Sequence, residues 1–438
     1  MSDLSLLGLV VGVSIAVLFL GHPIALTFGS IGIILGWIFI GPSVIQIAVM
    51  KTYAVMVSFP LMAIPLFIFM AFLLDKGGVA ESMFDGIRDL FGHFPGGLAI
   101  AVTVVCTLFA ASTGIIGATI VSMGIMAGPY LLDHGYDRKL TVGTIMAGGT
   151  LGIIIPPSVL LIVLGATAGI SVGQLFVGAV LPGLLMSVLY VIYIFVRCSI
   201  NPSLGPPVPR AELDPLKIRL LRGFKKVTPP VMLIFVVLGS LFVGIATPSE
   251  AGAVGAFAAF ILMVGYGQFS FRNFHAAVKA TVKASCMVLF IIIGVNVFSA
   301  VFMSLGCGKT LGNLFVALDN KWLFIWLTML LIFLLGMIID WTAILMLMVP
   351  IFFPIAVEYD INLFWFAMII SINLQTSFMS PPFGYALFFM KSLQLPGVTI
   401  NEIYLSVIPF IIAQLMVLFL CMFFPQIVTF LTELAFAR

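Results

Sequence analysis

The chain has 438 residues, of which 62% are hydrophobic and 8% charged, and its net charge is +3. Soluble domains carry roughly a quarter charged residues, so a sizeable soluble domain is excluded. The charge is also too small to point to nucleic acid as a partner.

The opening "MSDLSLLGLVVG" has neither a basic leader nor a small-residue cleavage site, so it reads as a first membrane span, not a removed signal. Apolar runs between turn signals place crossings at 4–20, 23–40, 58–75, 138–168 and 172–196, with surface helices near 42–56 and 79–92. Residues 140–196 hold no charge over 57 positions, and one crossing needs about 20 apolar residues. The Pro-rich, basic stretch 199–222 is the one evident linker, and it divides the chain nearly in half. A second set of crossings follows at 227–246, 249–268, 283–304, 361–390 and 400–424.

Cytoplasmic loops of membrane proteins concentrate Lys and Arg. The region 197–226, with seven of them, is therefore expected to be cytoplasmic, and five crossings on either side then put both termini outside. With that orientation 15 basic residues fall inside and 4 outside. An odd number of crossings per half also inverts one half relative to the other.

The halves match in detail. Pro129 precedes the pair Pro156–Pro157 by 27 residues, and Pro354 precedes Pro381–Pro382 by the same 27. After each pair comes a helix start with capping-box spacing, Ser171 with Gln174 and Thr399 with Glu402. Thr247-Pro248-Ser249-Glu250 has the same form, so Glu250 reads as structural. Residues 138–168 as one helix would measure about 46 Å at about 1.5 Å per residue, against a hydrocarbon core of about 30 Å. A proline pair in such a helix implies a break at Gly152–Ser158, and broken helices in inverted repeats are a feature of secondary transporters.

Two further apolar segments are too long for one span and short for two. Residues 90–132 centre on the hydroxyl-rich "AASTG" (Ala110–Gly114), and 322–357 centre on Asp340 in "GMIIDWTAI". Both read as re-entrant hairpins whose tips meet the broken helix of their own half. Ser112, Thr113 and Thr342 would offer hydroxyl oxygens, and the unwound backbone carbonyls, to a hard cation such as sodium. Half-helix N-termini would receive a carboxylate. Asp340 has two readings: a cap for the Ala343 N–H and its turn, or a ligand and organiser of the site. The five cysteines include no CxxC pair, and the four histidines have no metal spacing. No HExxH, paired aspartates or Ser/His pairing appears in the spans, so an enzyme is not expected.

The stretches "GTLGIIIPPSVLLIVLG", "ISVGQLFVGAVLPG", "GIATPSEAGAVGAF" and "DWTAILMLMVPIFFPIA" together resemble the large membrane subunit (DctM-like, M subunit) of tripartite ATP-independent periplasmic (TRAP) transporters, over essentially the full chain. The resemblance implies an all-α polytopic inner-membrane protein, an inverted-repeat elevator-type transporter with two re-entrant hairpins and two broken helices. It implies sodium-driven import of an organic acid or similar small anion. The partners it implies are a periplasmic binding protein (DctP-like) and a small four-helix membrane subunit (DctQ-like) within the lipid bilayer. Carried over by motif, it implies sodium or solute contacts at Ser112, Thr113, Gly114, Gly149, Gly152, Pro156, Pro157 and Ser158, and at Gly336, Asp340, Thr342, Met379, Pro381 and Pro382. The division expected is 1–89 scaffold, 90–170 transport, 171–226 scaffold and linker, 227–320 scaffold, 321–396 transport and 397–438 scaffold. The tip "AASTGIIGA" departs from the family's Gly-Ser-Ser type, which puts a common solute in question. "SPPFGYA" lacks a hydroxyl after its prolines, so the halves should not bind equivalently. Proton coupling through Asp340, or a channel, are the alternatives to sodium symport.

Overall fold

The structure, a computed structural model, describes residues 2–114, 116–209, 214–317, 319–382 and 384–436, with the backbone alone for Phe19, Ser112 and Thr113. Every element among these residues is helical.

The first half opens with α1 (Asp3–Phe19), α2 (Ile24–Phe39), α3 (Ser43–Met56) and α4 (Ala63–Lys76). The chain bends by 59° between α3 and α4, so the helix expected near the surface and the crossing after it are separate pieces. α5 (Val79–Phe91) buries Val79, Ala80, Met83, Phe84 and Ile87, a stripe at the three- and four-residue spacing of one helix face. The first hairpin is α6 (Gly97–Thr113) and α7 (Ile116–Asp133). α8 (Arg138–Thr150) and α9 (Val159–Ala168) are the two pieces of the expected broken helix, and α10 (Val172–Ile200) closes the half.

The second half repeats this order. α11 (Leu216–Phe242), α12 (Pro248–Gly265) and α13 (Phe271–Ser304) precede a short α14 (Cys307–Val316). The second hairpin is α15 (Lys321–Gly336) and α16 (Trp341–Glu358). The second broken helix is α17 (Leu363–Ser377) with α18 (Tyr385–Ser392), followed by α19 (Ile400–Ser406), α20 (Ile408–Phe423) and α21 (Gln426–Phe436). Starts at Gly97, Ile116, Arg138, Val159 and Val172 correspond to Lys321, Trp341, Leu363, Tyr385 and Ile400, each pair 224 to 228 residues apart. Thr247 with Glu250 and Thr399 with Glu402 form complete capping boxes. Ser171 also caps, accepting the Gln174 N–H at 3.4 Å. Sequence periodicity did not reveal α14 or α21, and it started α11 and α13 too late because their first turns are polar and charged.

Packing pairs the halves crosswise. α2 lies on α13 as α12 lies on α4, and α5 lies on α11 as α14 lies on α1. These nine helices, α1–α5 and α11–α14, form one group, which meets the hairpins where α5 packs on α6 and α13 on α16. In the other, α6 and α7 pack on α8, α15 on α17, and α16 on α9. α10 packs on α6, α9, α20 and α21, and α20 on α17, which places both with the hairpins and broken helices.

Candidate functional site

Each hairpin tip meets the break of its own half. The first helix of hairpin one continues through Ser112 and Thr113, and the chain turns at Gly114, whose φ is +59°. The side chains of Ser112 and Thr113 lie outside the described residues. A Cβ on Gly114 would stand 2.6 Å from the Pro157 carbonyl oxygen, so tip and break touch backbone to backbone. Gly149 is likewise held against Ile120 of α7, and Gly336 against Ser377 at the end of α17. Gly114→Ala should therefore leave insertion intact but lower thermal stability. A left-handed alanine alone costs about 1–2 kcal/mol, before the new methyl displaces Pro157. A melting curve of the purified variant checks this, and an unchanged curve would show that the tip does not depend on the contact.

The breaks follow from proline chemistry. Pro156 and Pro157 supply no N–H to the carbonyls of Gly152 and Ile153 four residues earlier. The Ser158 hydroxyl takes over the Ile153 carbonyl and also accepts the Leu161 N–H at 3.5 Å, capping α9. Ser158 is thus fully buried and occupied as a cap. In the second break, the Ala386 N–H donates to the Phe378 carbonyl at 3.1 Å, and the Ser380 N–H to that of Ser377 at 3.1 Å. Met379 and Ser380 are buried there beside Pro381 and Pro382. Asp340 caps α16, but its Oδ1 accepts the Thr342 N–H at 2.9 Å, not that of Ala343. Thr342 itself is buried.

One cavity of about 490 Å³ joins both halves. Its wall includes Gly114, Ile116, Val159, Trp341, Thr342 and Tyr385, so the N-terminal turns of α7, α9, α16 and α18 all open onto it. Gly384, the residue before α18, offers no side-chain cap. The charged groups among its described lining are Asp75, Lys76 and Asp340. Gly149, Gly152, Pro156, Ser158, Met379 and Pro381 are not among the described lining of this cavity; Gly149 is in the last turn of α8, and Pro381 is exposed. A second cavity of about 530 Å³ reaches Asp340 and Tyr385 past Gly336 and Met337.

Asp75 and Ser122 were not expected here. Asp75 accepts a hydrogen bond from the Ser122 hydroxyl and pairs with Lys76 at 3.0 Å, tying α4 to α7. Its counterpart ties α13 to α16, where the Ser299 hydroxyl donates to the Met346 carbonyl at 2.9 Å. Both members of the second tie stand 224 residues after those of the first. That spacing was the available signal; the sequence alone offered Asp75 only as a charge at a span end.

No group of three or more His, Cys, Asp or Glu residues suited to a metal occurs among the described residues. The oxygen donors on the described lining are the hydroxyls of Ser122, Thr342 and Tyr385 and the carboxylates of Asp75 and Asp340, hard ligands of the kind that favour hard cations.

Residues 11–427 match the family described as the tripartite ATP-independent periplasmic transporter DctM component. Over 436 residues, covering 96% of this chain and 97% of the relative, it is 30% identical to a "C4-dicarboxylate TRAP transporter large permease protein DctM" of Rhodobacter capsulatus. It is 27% identical to the "Ectoine/5-hydroxyectoine TRAP transporter large permease protein UehC" of Ruegeria pomeroyi, covering 86% of this chain and 87% of that one. The solved YdaH transporter of Alcanivorax borkumensis shares the fold at TM-score 0.62 and 15% identity, covering 92% of this chain and 89% of that one.

Proposed function

We propose, since the chain belongs to the DctM component family of tripartite ATP-independent periplasmic transporters, that it is a sodium-coupled importer of a small organic acid or similar anion. It is a multi-pass membrane protein and not an enzyme. The observation that carries the anion reading is the convergence of four helix N-termini on one cavity. Each such end carries about half a positive charge, which suits a carboxylate, and no arginine is among the described lining.

The cavity also holds two carboxylates, Asp75 and Asp340. An anionic solute beside Asp340 needs compensating positive charge in a medium that screens poorly. A bound sodium ion supplies that charge. Gly114 and Ser112 at one tip, Thr342 at the other, and carbonyls of Gly149, Gly152, Pro156, Gly336, Met379 and Pro381 are the oxygens we assign to it. Ser112, Thr113, Ser158, Asp340 and Thr342 are assigned to the solute, Ser158 through the cap it gives α9. A relative from Haemophilus influenzae is named for sialic acid, which supports an acid as cargo as the dicarboxylate relative does.

For the motion, we assign α6–α10 and α15–α21 to a body that slides against a frame of α1–α5 and α11–α14. This follows the packing, and it moves α10 and α19–α21 from the frame that sequence suggested into the body. With the basic loops inside, the cavity beside Lys76 opens toward the cytoplasm. A periplasmic binding protein would deliver the solute, and a small membrane subunit would widen the frame.

Uptake into proteoliposomes holding the full assembly, with loaded binding protein outside, tests this. An inward sodium gradient should drive saturable accumulation. Thr342→Ala should raise the half-saturating sodium concentration about fivefold, as loss of one neutral hydroxyl contact worth about 1 kcal/mol implies. Uptake driven by a pH gradient without sodium would establish proton coupling instead. A steady current without saturation would establish a channel.

A further inference from the structure

One buried amide stands between the two breaks. Gln414 of α20 is fully buried, and its Nε2 donates to two acceptors, Thr150 Oγ1 at 3.4 Å and Met379 Sδ at 3.2 Å. Thr150 is the last residue of α8, where the first break begins. Met379 stands in the second break, two residues before Pro381. The Thr150 hydroxyl in turn donates to the Ala147 carbonyl at 2.8 Å and reaches Met379 Sδ at 3.4 Å. Thr150 and Met379 are also fully buried.

The network therefore has one member from each half of the chain and a third that joins them. A buried polar group left without a partner is expensive, so the amide resists any shift of one break that the other does not follow. The Tyr190 hydroxyl, whose ring packs on Phe410 one turn earlier in α20, stands close enough to Gln414 and Thr150 to interact with both, so α10 adds a member to the network. The amide's two donor contacts are the ones that reach both breaks. A leucine of similar volume would fill the space without favouring any alignment of the breaks.

We propose that Gln414 is a positioning residue that couples the two breaks, so that the backbone arrangement at one half-site sets that at the other. This rests on reading the breaks as paired half-sites, and the test separates the two ideas. Hydrogen–deuterium exchange is followed at peptides spanning 151–162 and 376–388 in the intact assembly. Ser158→Ala removes the α9 cap and should speed exchange at the first break about fivefold, the opening expected from losing one helix cap. With Gln414 present the increase should spread to the second break. With Gln414→Leu it should stay confined to the first. Thr150→Val, nearly equal in shape, removes one acceptor and should confine it in the same way if Gln414→Leu does not accumulate. A purely structural role for Gln414 would change baseline exchange but not this spread. Spread in both backgrounds, or in neither, overturns the coupling. Sodium chloride in place of potassium chloride should slow exchange at both breaks. If sodium slows neither while the spread is seen, the ion-site reading fails and the coupling stands.

Discussion

Oxidation of an Asp75→Cys/Ser122→Cys double variant should abolish solute uptake, and reduction should restore it. The hydrogen bond from Ser122 to Asp75 places these two side chains end to end across the boundary between α4 and α7. A disulfide needs Cβ atoms about 3.5–4.5 Å apart, a separation that two directly bonded short side chains approach. The same boundary divides the helices assigned to the frame from those assigned to the moving body, so a covalent link would hold the body at one end of its travel. The background has to be Cys286→Ser, because Cys286 is the exposed cysteine among five free ones. Loss of the Asp75–Lys76 pair confounds little, since Lys76 is well exposed and such pairs contribute about 0–1 kcal/mol. The reduced double variant should therefore transport nearly as the parent does. Ser299→Cys with Met346→Cys tests the counterpart tie, although its bond runs to a backbone carbonyl and cross-linking should be slower. A cross-link that forms fully while uptake continues would show that α4 and α7 do not separate during transport, and the sliding-body reading would be lost.

The features legible in the sequence were those with a strong local signature. A proline pair removes two backbone donors, yet Pro229–Pro230 stay inside α11, so the pairs at 156–157 and 381–382 were told apart by their matched setting, the 27-residue interval from Pro129 and Pro354. Asp340 and Gly114 stood out because a charge or a small polar turn in an apolar run has few local explanations. What stayed hidden was carried by contacts between distant residues. Asp75 with Ser122, Ser299 with Met346, and Gln414 with Thr150 are separated by 47, 47 and 264 positions, and each residue alone is ordinary in a membrane helix. The side of the boundary on which α10 and α20 lie is decided in the same way, by which faces they bury. Their polar residues are too few to mark a preferred face. Ser158 was legible as important, but its work as a cap depends on the Ile153 carbonyl being released by Pro157.

Asp340→Asn should reduce uptake about tenfold while leaving thermal stability unchanged. Asp340 does two things that the wild-type chain cannot separate: it caps α16 through the Thr342 N–H, and it places a carboxylate on the wall of both cavities. Asparagine caps a helix about as well as aspartate, so the α16 start should survive the exchange. Alanine should not preserve it, and Asp340→Ala should lose roughly 1 kcal/mol of stability along with activity. The charge is what asparagine removes. The sodium ion proposed to offset the solute's charge would lose the attraction of this carboxylate, and a loss of about 1.4 kcal/mol is one factor of ten in binding. Melting curves and uptake rates measured on the same preparations of both variants divide the roles. Wild-type uptake by Asp340→Asn would reduce Asp340 to a cap. Reduced uptake with a lowered melting temperature in Asp340→Asn would mean that the carboxylate holds the tip together and that its effect on transport passes through the fold.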